Sequence, residues 1–209
     1  MEARTEHRWQ FRPFLRRCTG TNQRRRGGCD GTLAYLDVEC QLTAAEVGGF
    51  HPHQTSQRRL AVAVVYVPAY QRVVTYRERE VTKLAQALHE VDHVIGYNLR
   101  GFDLEILRGY PGTDVDGIHA FDLFEDLQRI SGRRWPLDVL AGATLNLSPT
   151  LGGDDVTALF QRGDLAGCVG ACQEDVRRIA QLHQFGAAHG VVYGYRPGVN
   201  ERVAIPVRW

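Results

Sequence analysis

Two acidic residues stand two positions apart inside an apolar run, Leu36-Asp37-Val38-Glu39. Side chains alternate along a strand, so both carboxylates share one face. Burying two like charges side by side costs on the order of several kcal/mol unless a cation or hydrogen-bond donors compensate. The pair therefore invites a divalent metal, and the plainer alternative is an exposed face of an edge strand. A second acidic position is Asp103, in Asn98-Leu99-Arg100-Gly101-Phe102-Asp103, directly after a short apolar segment that ends at Tyr97. It falls in the first turn of a helix, where a carboxylate also suits the helix dipole without any further role. A third is Asp175, in Cys172-Gln173-Glu174-Asp175-Val176, within a long helical stretch.

The elements that must position these residues follow from hydrophobic periodicity. Leu33 to Glu39 reads as a buried strand, followed by a polar loop containing Gly48, Gly49, His51, Pro52 and His53. Arg59 to Val67 and Arg72 to Tyr76 are β-branched runs around Pro68, which suits two antiparallel strands. The period then changes: Val81, Leu84, Ala85, Leu88 and Val91 fall at helical spacing. Val94 to Tyr97 is a short strand, Phe102 to Leu107 begins a helix, and Ile118 to Leu123 runs from a strand into another. Helices are predicted over Leu137 to Thr144, Asp155 to Phe160 and about Leu165 to Ala188, and Val191 to Trp209 is extended, with Val203, Ile205 and Val207 alternating. Three antiparallel strands followed by alternating helices and strands describe an α/β sheet of about five strands flanked by helices. Such folds place chemistry at strand ends.

Composition agrees with one folded unit. The 209 residues are 44% hydrophobic and 23% charged, which excludes wholesale disorder. The longest apolar run, Leu60 to Ala69, is ten residues, about half of what a membrane-spanning helix needs, so no membrane partner is expected. A formal charge of +1 hides an asymmetry: residues 1–28 hold eight arginines against Glu2 and Glu6, and the rest of the chain is net acidic. Residues 1–31 show no period of 2 or 3.6 and read as a flexible basic extension, with the folded domain at 32–209. Five cysteines are an odd number and no apolar leader precedes them, so a reducing, cytoplasmic setting is the expectation.

The combination of acidic motifs is far more specific than its parts. Asp-x-Glu on a first strand, Asn-x-x-x-Phe-Asp at a strand-to-helix turn and Asp-Val on a late helix resemble, in order and spacing, the DEDD superfamily of 3′–5′ exonucleases, which have the ribonuclease H-like fold. Within it the chain is most similar to predicted exonuclease domains associated with bacterial helicases, through Val94-Ile95-Gly96-Tyr97-Asn98, Phe121-Asp122-Leu123, Leu137-Asp138-Val139-Leu140 and Thr144-Leu145. The likeness covers roughly residues 33–209. It implies an α/β ribonuclease H-like mixed five-stranded sheet flanked by helices. It also implies that Asp37, Glu39, Asp103 and Asp175 bind two divalent cations, Mg²⁺ or Mn²⁺, whose hard character suits oxygen ligands. The expected activity is two-metal hydrolysis of phosphodiester bonds from a 3′ end of nucleic acid, with single-stranded DNA favoured and a helicase as a possible partner. Asn98 and Phe102 match positions beside the site, Phe102 packing and Asn98 fixing the loop or touching substrate.

The sequence departs from that pattern at one point. Active members carry a tyrosine four residues, or a histidine five residues, before the last aspartate, and here those positions are Ala171 and Gly170. Losing a group that orients the attacking water typically costs about 10²–10⁴-fold in rate. His183, Tyr193 and Tyr195 are the candidates to stand in, although a lone helical histidine is more often packed or solvated. The alternative function is thus a catalytically weakened nucleic-acid-binding module serving a helicase. An ordinary nucleotide-binding enzyme ranks last, since neither Gly-x-x-x-x-Gly-Lys-Ser/Thr nor Gly-x-Gly-x-x-Gly follows a strand. Cys168 and Cys172 share a helix face and could join Cys18 and Cys29 on zinc, but the wide spacing of the second pair favours core packing. In the extension, arginines interleaved with Trp9, Phe11 and Phe14 could follow a phosphate backbone and stack on bases.

Overall fold

The computed structural model describes residues 31–196, 198 and 201–209. The basic extension, with Cys18 and Cys29, lies outside them. The central sheet has five strands: β1 (Leu33–Cys40), β2 (Leu60–Val67), β3 (Arg72–Arg77), β4 (His93–Gly96) and β5 (Ala120–Asp122). Their spatial order is β3-β2-β1-β4-β5, with β1, β4 and β5 parallel and β2 antiparallel to its neighbours. The carboxylate-bearing strand β1 is therefore central, which removes the edge-strand explanation for Asp37 and Glu39.

Alternation along β1 sorts its side chains between two cores. Ala34, Leu36, Val38 and Cys40 join Leu84, Leu88, Ile106 and Leu107, contributed by α2 (Val81–His89) and α3 (Leu104–Arg108). Tyr35 joins Val176, Ile179 and Ala180 on the opposite face. Asp37 and Glu39 have the parity of Tyr35, so they face that second side. Two helices cover it, α6 (Gly153–Gln161) and the 25-residue α7 (Leu165–His189). The helix α7 starts on an Asp164 cap that accepts from the Gly167 N–H and stops at Gly190, whose φ of 68° is left-handed.

The helices α4 (Leu123–Ser131) and α5 (Leu137–Leu145) contribute Leu127 and Leu140 to a third apolar cluster. The extended C-terminal stretch does not join the main sheet. It folds into a separate antiparallel hairpin, β6 (Val191–Tyr195) with β7 (Arg202–Pro206), and buries Val192, Ile205 and Val207 against Trp135, Leu140 and Leu182. The polar loop after β1 likewise contains one short helix, α1 (Pro52–Thr55), because Pro52 presets the first helical φ. Cys168 and Cys172 are buried, their thiols facing the Val156 and Asp37 carbonyls, as core packing requires. No helix among the described residues is long and apolar enough to cross a membrane.

Candidate metal centre

Each acidic residue reaches the site by a different route. Asp37 and Glu39 come from β1, where the Cys172 thiol donates to the Asp37 carbonyl at 3.2 Å and ties the strand to α7. Asp175 comes from α7 itself. One carboxylate oxygen from each of Asp37, Glu39 and Asp175 lies within 4.8 Å of the others. Asp103 arrives on a single wide turn, Leu99–Asp103, with π-type geometry, and is 2% exposed. Its carboxyl experiences the charges of Asp37, Asp122 and Glu39.

That wide turn is built around Asp122, at the end of β5. Its carboxylate accepts from the Asn98 N–H at 2.9 Å and the Arg100 N–H at 3.0 Å while also capping α4 through the Phe124 and Glu125 N–H groups. Asn98 adopts a left-handed φ of 59°, which Asn tolerates better than most residues. Its side chain folds over Gly101, where a Cβ would come within 2.7 Å of Asn98 Oδ1. Asn98 thus shapes the turn that presents Asp103, and Phe102 packs against the first core with its ring under the Arg58 guanidinium.

Burial sets the electrostatics. It pushes the Asp37 carboxyl up to about 8, helped by the neighbouring Asp175 charge and opposed by the Cys172 thiol. Glu39 and Asp103 are raised for the same reasons, burial first and neighbouring carboxylates second, with Arg58 pulling Glu39 back down. Asp175 rises only to about 6, because Thr150 and Arg178 offset its burial. Thr150 Oγ1 is 3.2 Å from both Asp175 Oδ1 and Asp138 Oδ1, so its one hydroxyl hydrogen is shared between two acceptors. Arg178, 4% exposed, donates to Asp138 Oδ1 at 3.1 Å and to the Ser148 carbonyl at 2.6 Å, with its Nε 3.8 Å from Asp175 Oδ1.

This donor set fits hard divalent cations. All four groups are carboxylates, and Asp37 Oδ2 and Asp103 Oδ1 are enclosed without any hydrogen-bond partner. An enclosed carboxylate oxygen without a partner is costly, and a cation is the ligand that would satisfy it. The water-orienting group that the family pattern calls for is missing at its usual place. Ala171 packs against the second core, and a Cβ at Gly170 would meet nothing within 4 Å. None of the three stand-ins is at the cluster. His183 is two helical turns beyond Asp175, bonded to the Tyr35 hydroxyl at 2.9 Å and stacked on Trp209; burial lowers its pKa to about 4. Tyr193 and Tyr195 lie on β6, Tyr193 under the Arg202 guanidinium.

Sequence reasoning missed five residues that shape the site: Arg58, Asp122, Asp138, Thr150 and Arg178. Asp122 and Asp138 at least lie in stretches that carry the family likeness. The other three act through partners 16 to 40 positions away, which no local pattern displays.

No protein-family model matches the chain, and no curated protein matches it by sequence. Solved structures do. The family B DNA polymerase from the hyperthermophilic archaeon Pyrobaculum calidifontis superposes with a TM-score of 0.57 and 16% identity, over 75% of this chain and 24% of that one. Trypanosoma brucei RNase D gives a TM-score of 0.51 and 18% identity, over 75% of this chain and 57% of that one. The chain thus spans about a quarter and somewhat over half of those two proteins. At such identities the likeness establishes the fold, a ribonuclease H-like α/β sheet flanked by helices.

Proposed function

We propose that this chain is a metal-dependent 3′–5′ exonuclease that hydrolyses phosphodiester bonds of nucleic acid, with single-stranded DNA as the favoured substrate. The observation that carries the reading is the clustering of Asp37, Glu39 and Asp175, with Asp103 near enough to feel the Asp37 and Glu39 charges, and with unpartnered oxygens on Asp37 and Asp103. Four carboxylates facing a phosphodiester would repel it, so the reading requires bound cations. Two Mg²⁺ or Mn²⁺ ions in such a cluster would neutralise the scissile phosphate and make a bound water acidic enough to attack.

The chain's own groups set the geometry. Asp37 and Glu39 are fixed by the central strand, Asp103 by the Asp122-bound turn, and Asp175 by Thr150. Thr150 and Arg178 both approach Asp175 through Oδ1. With Ala171 at the water-orienting position, no side chain there holds the nucleophile, and turnover is expected to be slow. Two nucleic-acid-handling proteins among the structural neighbours, a DNA polymerase and an RNase, support the substrate class. A helicase partner belongs to the same proposal and rests on the sequence likeness alone. Ala171 and Gly170 also favour a second reading, a binding module that retains its cations but has little turnover.

The test incubates a 5′-labelled single-stranded oligonucleotide with the protein in Mg²⁺, in Mn²⁺ and in EDTA, beside Asp37→Asn and Asp175→Asn. A ladder shortening from the 3′ end, lost in EDTA and in both variants, is the expected result. An oligonucleotide that is bound but intact under every condition would replace the enzyme with the binding module.

A further inference from the structure

Two buried arginines flank the carboxylates, and they are used differently. Arg178 spends its guanidinium on protein: Asp138 at 3.1 Å, the Ser148 carbonyl at 2.6 Å, and Glu174 and Asp175 at 3.4 and 3.8 Å. Arg58 does not. Among the described residues, Nε is the one guanidinium nitrogen that makes a hydrogen bond, to the Leu42 carbonyl at 2.8 Å, and the carboxylate nearest its terminal nitrogens, Asp154, is 3.9 Å away and well exposed. Among the described residues, the enclosed side-chain atoms without a hydrogen bond are Asp37 Oδ2, Asp103 Oδ1 and Arg178 Nε, the last held only by ion pairs. Neither terminal nitrogen of Arg58 is among these enclosed atoms, so each keeps a small contact with solvent.

The rest of Arg58 is anchored. The residue is 6% exposed, and its carbonyl accepts from the Leu42 N–H at 3.1 Å and the Gln41 N–H at 3.2 Å. Backbone and side chain therefore clamp the same short segment, two or three residues beyond Glu39. The guanidinium lies 5.1 Å above the Phe102 ring, next to Asp103 in the chain, and its charge is felt by Glu39. Immobilising an arginine and desolvating its stem is expensive, and a structural role would be expected to occupy its strongest donors. Here those donors make no hydrogen bond among the described residues and only a long ion pair with the exposed Asp154, while their charge is felt by Glu39. An anion with paired oxygens matches a planar guanidinium fork.

We propose that Arg58 is a substrate-binding residue that grips a non-bridging phosphate oxygen of the terminal nucleotide, with Phe102 as the floor beneath it. The assignment rests on the exonuclease reading above. It adds a cationic protein contact where the carboxylates alone offer none, and it explains why a buried arginine stands beside Glu39 without pairing to it.

The test measures binding of a 5′-fluorescent single-stranded DNA 12-mer by anisotropy in Ca²⁺ across a salt series, for the wild type, R58Q and R58K. Thermal melting with and without Mn²⁺ runs in parallel. R58Q is expected to bind about tenfold more weakly, as for loss of one hydrogen bond to a charged group. The slope of log affinity against log salt should also become shallower by about 0.7, one phosphate contact on a single strand. R58K, which keeps the charge and the stem, should retain the slope and lose affinity severalfold. The Mn²⁺-induced rise in melting temperature should persist in both. If R58Q does not melt cooperatively, R58K decides together with a DNA whose terminal linkage is a neutral methylphosphonate: that DNA should cost R58K less affinity than it costs the wild type. Unchanged affinity and slope in folded R58Q, or equal methylphosphonate losses in R58K and wild type, would overturn the assignment. A wild type that neither binds DNA nor responds to Mn²⁺ would instead overturn the exonuclease reading itself.

Discussion

Asp37→Asn should make the metal-free fold more tolerant of alkaline pH and remove nearly all of its response to added metal. Burial and the Asp175 charge hold the Asp37 carboxyl up at about 8, against an ordinary value of 3.8. An acid whose folded pKa is raised contributes stability that is present below its unfolded pKa and lost as pH climbs through the folded one. The slope is about 1.4 kcal/mol per pH unit, so pH 5.5 to 7.5 removes about 3 kcal/mol through this group alone. For a domain of this size that is about 6–12 °C in melting temperature. His183 works in the opposite sense, since burial lowers it to about 4 and its contribution is lost as pH falls from about 6.5. Both proteins share it, so it cancels in their difference. The assay is thermal melting in EDTA at the two pH values, repeated with Mn²⁺. The melting temperature of the wild type should fall at least 6 °C more than that of Asp37→Asn across the window. Mn²⁺ should restore the wild type at pH 7.5 and leave the variant nearly unmoved. Parallel pH responses in EDTA would refute the idea that Asp37 is held, desolvated, beside other carboxylates.

Three further outcomes follow from other parts of the structure. Asp122→Ala removes an acceptor shared by four N–H groups, from the Asn98 turn and the first turn of α4, and should cost about 2–4 kcal/mol by chemical denaturation together with the Asp103-dependent cleavage. A Cβ at Gly194 would fall on the Trp135 ring, so Gly194→Ala should lower stability by about 1–3 kcal/mol while leaving cleavage rates of the folded protein unchanged. Ala171→Tyr places a hydroxyl one helical turn before Asp175 and should raise single-turnover cleavage by about 10²-fold; no increase would mean that the missing group is not what limits the rate.

The fold was legible wherever a segment's own pattern decides its structure. The strand carrying Asp37 and Glu39 and the hairpin after it follow from β-branched alternation, and α2 and α7 follow from helical spacing. The last stretch is different. Val203, Ile205 and Val207 announce an extended chain, but only packing against Trp135 and Leu182 makes it a hairpin outside the main sheet. The four carboxylates could be singled out because their residue types and order are themselves the signal, and the structure gathers Asp37, Glu39 and Asp175. Arg58 and Thr150 could not be singled out, because an arginine after a polar loop and a threonine after a helix acquire meaning only when the fold sets them beside Glu39 and Asp175. Ala171 was visible as a departure, and the structure adds that none of His183, Tyr193 and Tyr195 sits at the cluster.

Because β1 lies at the centre and α7 near the end of the chain, the site also has an order of assembly. A nascent polypeptide leaves the ribosome from its N-terminus. Asp37, Glu39 and Asp103 are therefore made before the helix that supplies Asp175. Until α7 emerges and docks on the sheet, the cluster lacks its fourth carboxylate, and the Cys172 tie to the Asp37 carbonyl does not exist. Whatever chemistry the complete cluster performs is thus withheld from half-made chains, a temporal safeguard that comes from topology alone.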